Sequence, residues 1–313
     1  MLSTRDIQRL GHGLHRPECV LCTAGEVVVS HVGGGVTRLL ADGSQRDVLG
    51  PGNPTVATNG FAIGPDGSFL CANLLPPGGV WRIRDGEQEP LLTEVDGEPL
   101  LSVNFVHADR DERLWISVST RRQPRARGYR PDVRDGFVVL LDQRGARIVA
   151  DGLRYTNEAR VDPRGRYLYV NETFGRRTSR FVLTNTGLGP RETVAEYGPG
   201  TFPDGLEFDQ EGGLWITSIL SNRVIRIHDR QQTVILEDSD PEHLARIEQA
   251  FQAGELERPH MDSVPTTLKS LSSLAFGGPA RKTVYLGNLL DDCIYTFPSP
   301  VAGAEPPHWH TSL

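Results

Sequence analysis

Short apolar runs alternate with turn residues along most of the chain, and one arrangement of runs and turns returns at intervals. Each copy begins with a polar residue, continues through an apolar stretch and a Pro, Asp or Gly turn, and ends in a second apolar run with aromatic residues. The copies begin at Asn59, Asn104, Asn157, Asp204 and Ser272, with a shorter one at Glu18. Four of the five steps between starts lie near the roughly 40 to 50 residue period of four-stranded propeller blades.

The runs inside each copy predict four short strands. DG, RG or EGG turns separate the first two runs, as in a tight hairpin, and a third and fourth run follow. Six such units close into a ring, so we predict an all-β fold, a six-bladed β-propeller formed by a single domain over residues 1–313. In the longest interval between two copies of the repeat, Leu244, Ile247 and Phe251 recur at helical spacing, which predicts a helical insertion near residues 240–258.

The charge balance limits the partners of the chain. There are 33 Lys and Arg residues against 40 Asp and Glu, a net charge of −7, whereas nucleic-acid binding needs a concentrated excess of basic residues. No run reaches the roughly 18 to 20 apolar residues that cross a bilayer, and the amino terminus shows no apolar leader. We therefore expect a cytoplasmic monomer or homodimer that acts on a small-molecule substrate, with no nucleic-acid or membrane partner.

The first residues of the six copies are candidates for a metal site. In a propeller the innermost strands line the central channel, so equivalent positions form a ring around its axis. The six side chains all offer oxygen atoms, and they are Glu18, Asn59, Asn104, Asn157, Asp204 and Ser272. Such oxygens suit Ca²⁺, which accepts about six to eight of them, and the absence of His and Cys disfavours a structural zinc site. The alternative is that these residues only cap turns.

Three of these residues lie in segments that resemble family signatures: Glu18 in RPE, Asn157 in LRYTNEARVDPRGRYLYVNET, and Asp204 in FPDGLEFDQEGGLWIT. From about residue 16 to 298 the chain resembles the regucalcin/gluconolactonase family of metal-dependent six-bladed propellers, many of which hydrolyse sugar lactones. The resemblance implies that Glu18, Asn157 and Asp204 hold one divalent cation, commonly Ca²⁺, although members also use Zn²⁺, Mn²⁺, Mg²⁺ or Fe²⁺. It also implies that Asn104 lies beside the substrate or reaches the cation through water, and that Asp204 is the catalytic base.

Two positions near Asn104 depart from the family pattern. Sugar-lactone members often carry Arg two residues before this Asn and Asp directly after it, where this chain has Ser102 and Phe105. An arginine suits carboxylate-bearing or polyhydroxylated substrates, so its replacement by serine indicates a less polar substrate. We expect Ser102 and Phe105 to contact the substrate, together with Asn104, Asn59 and Ser272.

Three other features allow two interpretations each. His107 could replace Asp204 as the base. However, it lies three residues after Asn104, and side chains alternate between the two faces of a strand, so His107 is predicted to face the space between blades. Residues 119–136 contain six arginines and form either a lid that attracts an anionic substrate or a solvated loop whose arginines pair with surface carboxylates. Cys19 and Cys22 have redox or zinc-site spacing, but strand alternation predicts opposite faces and inert thiols.

Three functions remain open on the sequence. The first is hydrolysis of a sugar lactone or a less polar lactone, in which a cation polarises the carbonyl and activates water. The second is a non-hydrolytic, metal-dependent isomerase or cyclase, or a propeller that binds a small molecule without catalysis. The third is the function of strictosidine-synthase-like or phosphotriesterase-type propellers. The first type needs an acidic residue near an iminium, and the second needs two calcium sites along the channel.

Overall fold

The computed structural model describes residues 1–50 and 56–313, and just under half of these residues lie in six antiparallel sheets of four strands each. β1 (Gln8–Leu10) precedes the first sheet, which contains β2 (Val20–Cys22), β3 (Val27–His31), β4 (Gly35–Leu39) and β5 (Gln45–Leu49). The second contains β6 (Thr58–Ile63), β7 (Phe69–Asn73), β8 (Val80–Arg84) and β9 (Glu87–Leu92), followed by a hairpin of β10 (Glu94–Val95) and β11 (Glu98–Pro99). The third contains β12 (Val103–Ala108), β13 (Leu114–Val118), β14 (Gly136–Asp142) and β15 (Gly145–Leu153).

The second half of the chain repeats this organisation. The fourth sheet contains β16 (Thr156–Val161), β17 (Tyr167–Glu172), β18 (Arg177–Thr184) and β19 (Gly187–Glu196), and the fifth contains β20 (Phe202–Phe208), β21 (Leu214–Ile219), β22 (Arg223–His228) and β23 (Gln231–Leu236). The sixth contains β24 (Leu271–Gly277), β25 (Thr283–Asn288) and β26 (Ile294–Pro298). Within the described residues, three short 3₁₀ helices lie at Thr4–Asp6, Arg125–Gly128 and Pro279–Arg281. The predicted six-bladed propeller is confirmed.

The two ends of the chain meet in the last blade. β1 is its outer strand and pairs antiparallel with β26, with Gln8 opposite Thr296 and Leu10 opposite Ile294. An amino-terminal strand therefore completes a sheet that the carboxy-terminal strands begin. Because every sheet reaches four strands in this way, the ring closes without an incomplete blade.

The predicted helical insertion is present between β23 and β24. It consists of α1 (Pro241–Ala253) and the short α2 (Arg258–Met261). The Asp240 side chain caps α1 by accepting a hydrogen bond from the backbone N–H of His243 at 2.6 Å. The helix then ends at Gly254, whose φ of 71° suits glycine. Leu244, Ile247 and Phe251 are buried, as their spacing predicted.

A β-bulge occurs at the predicted first residue in five of the six innermost strands. In β16, Thr156 pairs with Glu172 and the ladder resumes only at Ala159, so Asn157 and Glu158 lie in the bulge. The equivalent register shifts occur at the starts of β6, β12, β20 and β24. A bulge bends its strand and re-aims the local side chains, so these positions do not follow simple alternation.

Close contact between neighbouring innermost strands requires glycine at two bulges. A Cβ on Gly205 would lie 2.5 Å from the Ser272 carbonyl oxygen and 2.7 Å from Ser273 Cα, and a Cβ on Gly60 would lie 2.8 Å from the Asn104 carbonyl oxygen. These atoms belong to the backbone of the next blade. The strand would therefore have to move away from its neighbour to accept any side chain.

We expect Gly205→Ala to lower the free energy of unfolding by about 1 to 3 kcal/mol, because overpacking against backbone forces a shift of the strand. Urea unfolding measures this change. Gly198→Ala is the matched control, since a Cβ at Gly198 meets no atom within 4 Å. Equal stability of the two variants would contradict the tight packing inferred at Gly205.

The carboxy-terminal tail lies across the end of the channel opposite the bulges. It contacts the turns after several innermost strands: the Trp309 carbonyl accepts from Ala24 N–H at 2.8 Å, and Arg110 Nη2 donates to the Glu305 carbonyl at 2.7 Å. His308, a residue of this tail, is buried. Burial, and secondarily the nearby Arg160 cation, lower the pKa of His308 to about 3.

This histidine predicts a pH dependence of stability. The unfolded chain protonates His308 near pH 6.5, but the folded protein does so only near pH 3, so stability is full above about pH 6.5 and falls toward pH 3. Replacement by a neutral side chain, His308→Asn, should reduce the slope of unfolding free energy against pH by up to about 1.4 kcal/mol per unit between pH 6 and 4. Urea unfolding across this range tests the effect, with His310→Asn at an exposed tail position as control. An unchanged slope for His308→Asn would refute the assignment.

Candidate functional site

The six predicted first residues come together at one mouth of the channel, and all six are buried. Three hydrogen bonds link them across blade boundaries. Asn59 Nδ2 donates to the Asn104 carbonyl at 3.0 Å, Asn157 Nδ2 donates to Asp204 Oδ2 at 2.9 Å, and Ser272 Oγ donates to the Glu18 carbonyl at 2.6 Å. We call this set the axial ring, and it consists of Glu18, Asn59, Asn104, Asn157, Asp204 and Ser272.

The asparagines of the axial ring use their amide nitrogens for structure and leave their amide oxygens available. Asn157 Nδ2 also donates to Thr173 Oγ1 at 3.0 Å, and Asn104 Nδ2 donates to Ser119 Oγ at 3.2 Å. The Oδ1 atom of Asn59 is buried and receives no hydrogen bond from the described residues. Because an amide has one donor end and one acceptor end, anchoring the nitrogen determines where the oxygen points. The ring therefore presents acceptors rather than donors.

Two carboxylates of the axial ring share a buried environment. Burial, with additional repulsion from Glu18 and Glu158, raises the pKa of Asp204 well above its usual range. Glu18 Oε2 lies 2.7 Å from Arg16 Nη2, but the two groups are not aligned for a hydrogen bond. Buried like charges are unfavourable unless a cation or a proton neutralises them. This set of oxygen ligands fits a hard divalent cation, because it combines two carboxylates with free amide oxygens.

Phe105 and Ser102 do not occupy the predicted substrate positions. The Phe105 ring is buried with Cys19, Leu21 and Phe61, and the Arg160 guanidinium lies 4.9 Å from its centroid. Phe105 is therefore part of the core, because the bulge at Asn104 turns the next side chain into the packed interior. Ser102 accepts a hydrogen bond from Gln123 Nε2 at 2.9 Å, so its hydroxyl anchors the following loop.

A buried charge cluster blocks the channel below the axial ring. The Arg160 side chain is only 4% exposed and lies near two carboxylates, with Nη2 3.2 Å from Glu158 Oε2 and Nη1 3.5 Å from Glu207 Oε2. Burial raises the pKa of Glu158 to about 7, although Arg160 and the Leu206 N–H oppose the shift. Glu158 was not predicted from the sequence, although its position directly after Asn157 was visible there.

His107 lies near this cluster, so its predicted position between blades was wrong. The bulge at Asn104 inserts one residue and reverses the alternation that follows it. His107 lines a cavity of about 330 Å³ at the opposite mouth, together with Arg160 and Glu207. Burial and the nearby Arg160 hold the pKa of His107 well below its usual range. Its separation from the axial ring argues against a role as the base there.

The arginine-rich segment covers the mouth that carries the axial ring, and its arginines divide between the two predicted roles. Arg121 and Arg130 pair with surface carboxylates, with Arg121 Nη1 2.8 Å from Asp151 Oδ1 and Arg130 Nε 2.9 Å from Asp132 Oδ1. Arg125 instead points inward. Its Nε donates to Tyr155 Oη at 2.9 Å, and its Nη1 is buried without an acceptor among the described residues.

The cysteines and one acidic cluster lie outside the site. Cys19 and Cys22 are free, buried and packed in different core clusters, and burial raises the pKa of both thiols. Among the described residues, Asp291, Asp292 and Cys293 form the group of three His, Cys, Asp or Glu ligands that lie close together. Asp291 is already engaged by Arg9 at 2.7 Å. This cluster shares no residue with the axial ring.

Comparisons with known proteins agree with the fold. The family model described as "SMP-30/Gluconolactonase/LRE-like region" matches residues 17–240. A gluconolactonase from Xanthomonas campestris superimposes with a TM-score of 0.70 at 21% identity, covering 94% of this chain and 89% of that one. The calcium-binding protein regucalcin from Agrobacterium tumefaciens gives 0.67 at 17% identity, covering 96% and 97%.

A curated relative is similar over a shorter region. The protein strictosidine synthase-like 13 from Arabidopsis thaliana is 27% identical over 143 residues, which are 42% of this chain and 33% of that protein. The chain thus spans about a third of the length of that relative. Within residues 1–50 and 56–313, no helix has both the length and the apolar character needed to cross a membrane.

The buried repulsion at Asp204 gives a stability prediction. In the presence of a chelator, Asp204→Asn should raise the free energy of unfolding by about 1 to 3 kcal/mol at neutral pH, since it removes an unfavourable buried charge. Urea unfolding provides the measurement.

Asp209→Asn, in the same blade, is the comparison variant for Asp204→Asn in this measurement. Burial alone would raise the pKa of Asp209, but hydrogen bonds from Arg226, Trp215 and the Gly213 N–H outweigh burial and lower it. Asp209→Asn should therefore destabilise the protein. Destabilisation by both substitutions would show that Asp204 is not under electrostatic strain.

Proposed function

The chain belongs to the SMP-30/gluconolactonase/LRE-like family, and on this premise we propose that it hydrolyses a lactone with the help of one divalent cation. The observation that carries the proposal is the axial ring itself. It buries two carboxylates, Glu18 and Asp204, beside the Asn59 amide oxygen, which receives no hydrogen bond from the described residues. Such an arrangement is unfavourable as an empty structural element and favourable around a cation.

Glu18, Asn157 and Asp204 would hold the cation, and Ca²⁺ is the first candidate because oxygen donors without His or Cys suit it. The structural relative from Agrobacterium is itself described as calcium-binding. When bound, the cation supplies polarisation of the lactone carbonyl and lowers the pKa of a water molecule. The remaining work belongs to the residues of this chain.

Asp204 is the group best placed to accept a proton from the attacking water. Its Oδ2 is held by Asn157 Nδ2, which fixes the carboxylate and leaves Oδ1 without a donor from the described residues. Asn157 is in turn fixed by Thr173, whose Oγ1 donates to the Pro203 carbonyl at 2.8 Å. A base held in one orientation by its neighbours needs little rearrangement during proton transfer.

The other members of the axial ring would orient the substrate. The free Oδ1 of Asn59 can accept hydrogen bonds from hydroxyl groups of a lactone, and Asn104 presents its amide beside it. The plug formed by Phe105, Glu158 and Arg160 closes the channel beneath, so substrate and water enter from the side of the arginine-rich segment. A closed floor also limits the water that competes for the cation.

The experiment that tests this proposal measures cation binding and lactone opening together. Isothermal titration of chelator-treated protein with Ca²⁺ should give one site, and added Ca²⁺ should restore opening of gluconolactone or an aliphatic lactone. Asp204→Asn should abolish both, because it removes a ligand and the base, with activity falling at least about 100-fold.

Asp292→Asn is the control, since Asp292 is an exposed acidic residue outside the axial ring, and its replacement should leave binding and activity unchanged. Lactone opening by chelated Asp204→Asn at the rate of the parent protein would refute the proposal. Firm Ca²⁺ binding without opening of any sugar, aliphatic or aromatic lactone would instead favour a non-hydrolytic, metal-dependent reaction.

A further inference from the structure

We propose that Arg125 binds a carboxylate of the substrate, so that the preferred substrate is a lactone bearing a second, free carboxylate group. This inference rests on the proposed function for the reaction at the axial ring. It extends that function by assigning a residue outside the ring to substrate selection. It also modifies the expectation of a less polar substrate that Ser102 suggested.

The segment that carries Arg125 is fastened to the propeller on both sides. We call residues 119–135 the lid. On the inner side, Gln123 Nε2 donates a hydrogen bond to Ser102 Oγ. On the other side, Arg130 Nη1 donates to the carbonyl of Gly254, directly after α1, at 3.1 Å. Tyr129 of the lid packs edge-on against Tyr155, with ring centroids 5.3 Å apart. These contacts hold the lid in one position, so Arg125 has a defined place above the ring.

The Arg125 side chain is incompletely satisfied where it lies. Nε is taken by Tyr155 Oη, but Nη1 is buried without an acceptor among the described residues. A buried guanidinium nitrogen without a partner is costly, and the geometry of the guanidinium matches the two oxygens of a carboxylate. The unpaired nitrogen therefore indicates a ligand group that the described residues do not provide.

Arg125 lies close enough to the axial ring to interact with its carboxylates. It opposes the rise in the pKa of Asp204, and its own positive charge is favoured by Glu18. Neither carboxylate hydrogen-bonds to it in the described structure. Glu18 is already in contact with Arg16, and Asp204 accepts from Asn157. A substrate lying between the ring and the lid would place its carbonyl at one end and a carboxylate at the other.

The charge of the lid supports an anionic substrate independently. Residues 119–135 contain six arginines and two aspartates, an excess of positive charge within a chain of net charge −7. Arg127 is exposed on the lid and has no ion-pair partner among the residues that the structure describes. A local positive surface at a binding mouth raises the local concentration of anions and speeds their association.

The test compares two lactones that differ at one group: the 1,4-lactone of a hexaric acid, which carries a carboxylate at C6, and the 1,4-lactone of the matching hexonic acid, which carries a hydroxymethyl group. The Ca²⁺-loaded parent protein should prefer the hexaric lactone in kcat/KM. Arg125→Met should reduce the ratio of the two kcat/KM values by about 10- to 100-fold, the effect of one charge-assisted hydrogen-bonded contact. Arg125→Lys should fall between the two.

Arg246→Met is the matched control, because it removes an exposed arginine of α1 outside the lid, and its ratio should equal that of the parent. An unchanged ratio in Arg125→Met would overturn the proposal. An equal loss on both lactones would also overturn it, since it would place Arg125 at the reacting carbonyl.

A binding measurement separates this inference from the proposed function. Calorimetric titration with the open-chain hexarate should show binding to the parent and at least about tenfold weaker binding to Arg125→Met. If no lactone is opened but hexarate binding depends on Arg125, the reaction proposal fails and the carboxylate site stands. Absent hexarate binding, or binding indifferent to Arg125, refutes the carboxylate site.

Discussion

The approach of six innermost strands around one axis is the constraint on which the rest of this structure depends. Neighbouring strands come so close that Gly205 faces the backbone of the next blade without room for a Cβ. Bulges accommodate this crowding, and at the same points they direct the polar side chains of the axial ring across blade boundaries. The hydrogen bonds from Asn59, Asn157 and Ser272 to the following blade are therefore both closure contacts and the framework of the site.

Buried charges lie in two layers along the channel, and the two layers differ in how far neighbouring side chains compensate those charges. In the lower layer, Arg160 lies between Glu158 and Glu207 and compensates part of their charge, so these side chains form the floor of the channel. In the upper layer, Glu18 and Asp204 repel each other and are only partly compensated by Arg16 and Asn157. A site that must take up a cation cannot be fully neutralised beforehand, because the neutralising group would compete with the ligand.

The insertion and the lid add to the propeller what its repeats do not contain. Hydrophobic residues of α1, such as Leu244 and Phe251, pack with Tyr129 of the lid and Phe174 of the fourth blade. This cluster gives an otherwise irregular loop a fixed position. The lid can therefore carry an inward-pointing arginine, which a mobile surface loop could not place reliably beside the ring.

The repeating pattern of apolar runs and turns by itself determined the number of blades, the helical insertion and the identity of the axial ring residues, because all of these follow from periodicity in the chain. It could not determine how a single bulge changes the face of the strand to which the following side chains point. The extra residue at Asn104 moved His107 from the expected gap between blades to the channel and buried Phe105 in the core. Nor could it reveal Glu158 or separate Arg125 from the other five lid arginines, because burial and the absence of an acceptor exist only once distant segments have packed together. Sequence spacing specifies which residues recur, whereas tertiary packing decides which of them lose their solvent and their partners.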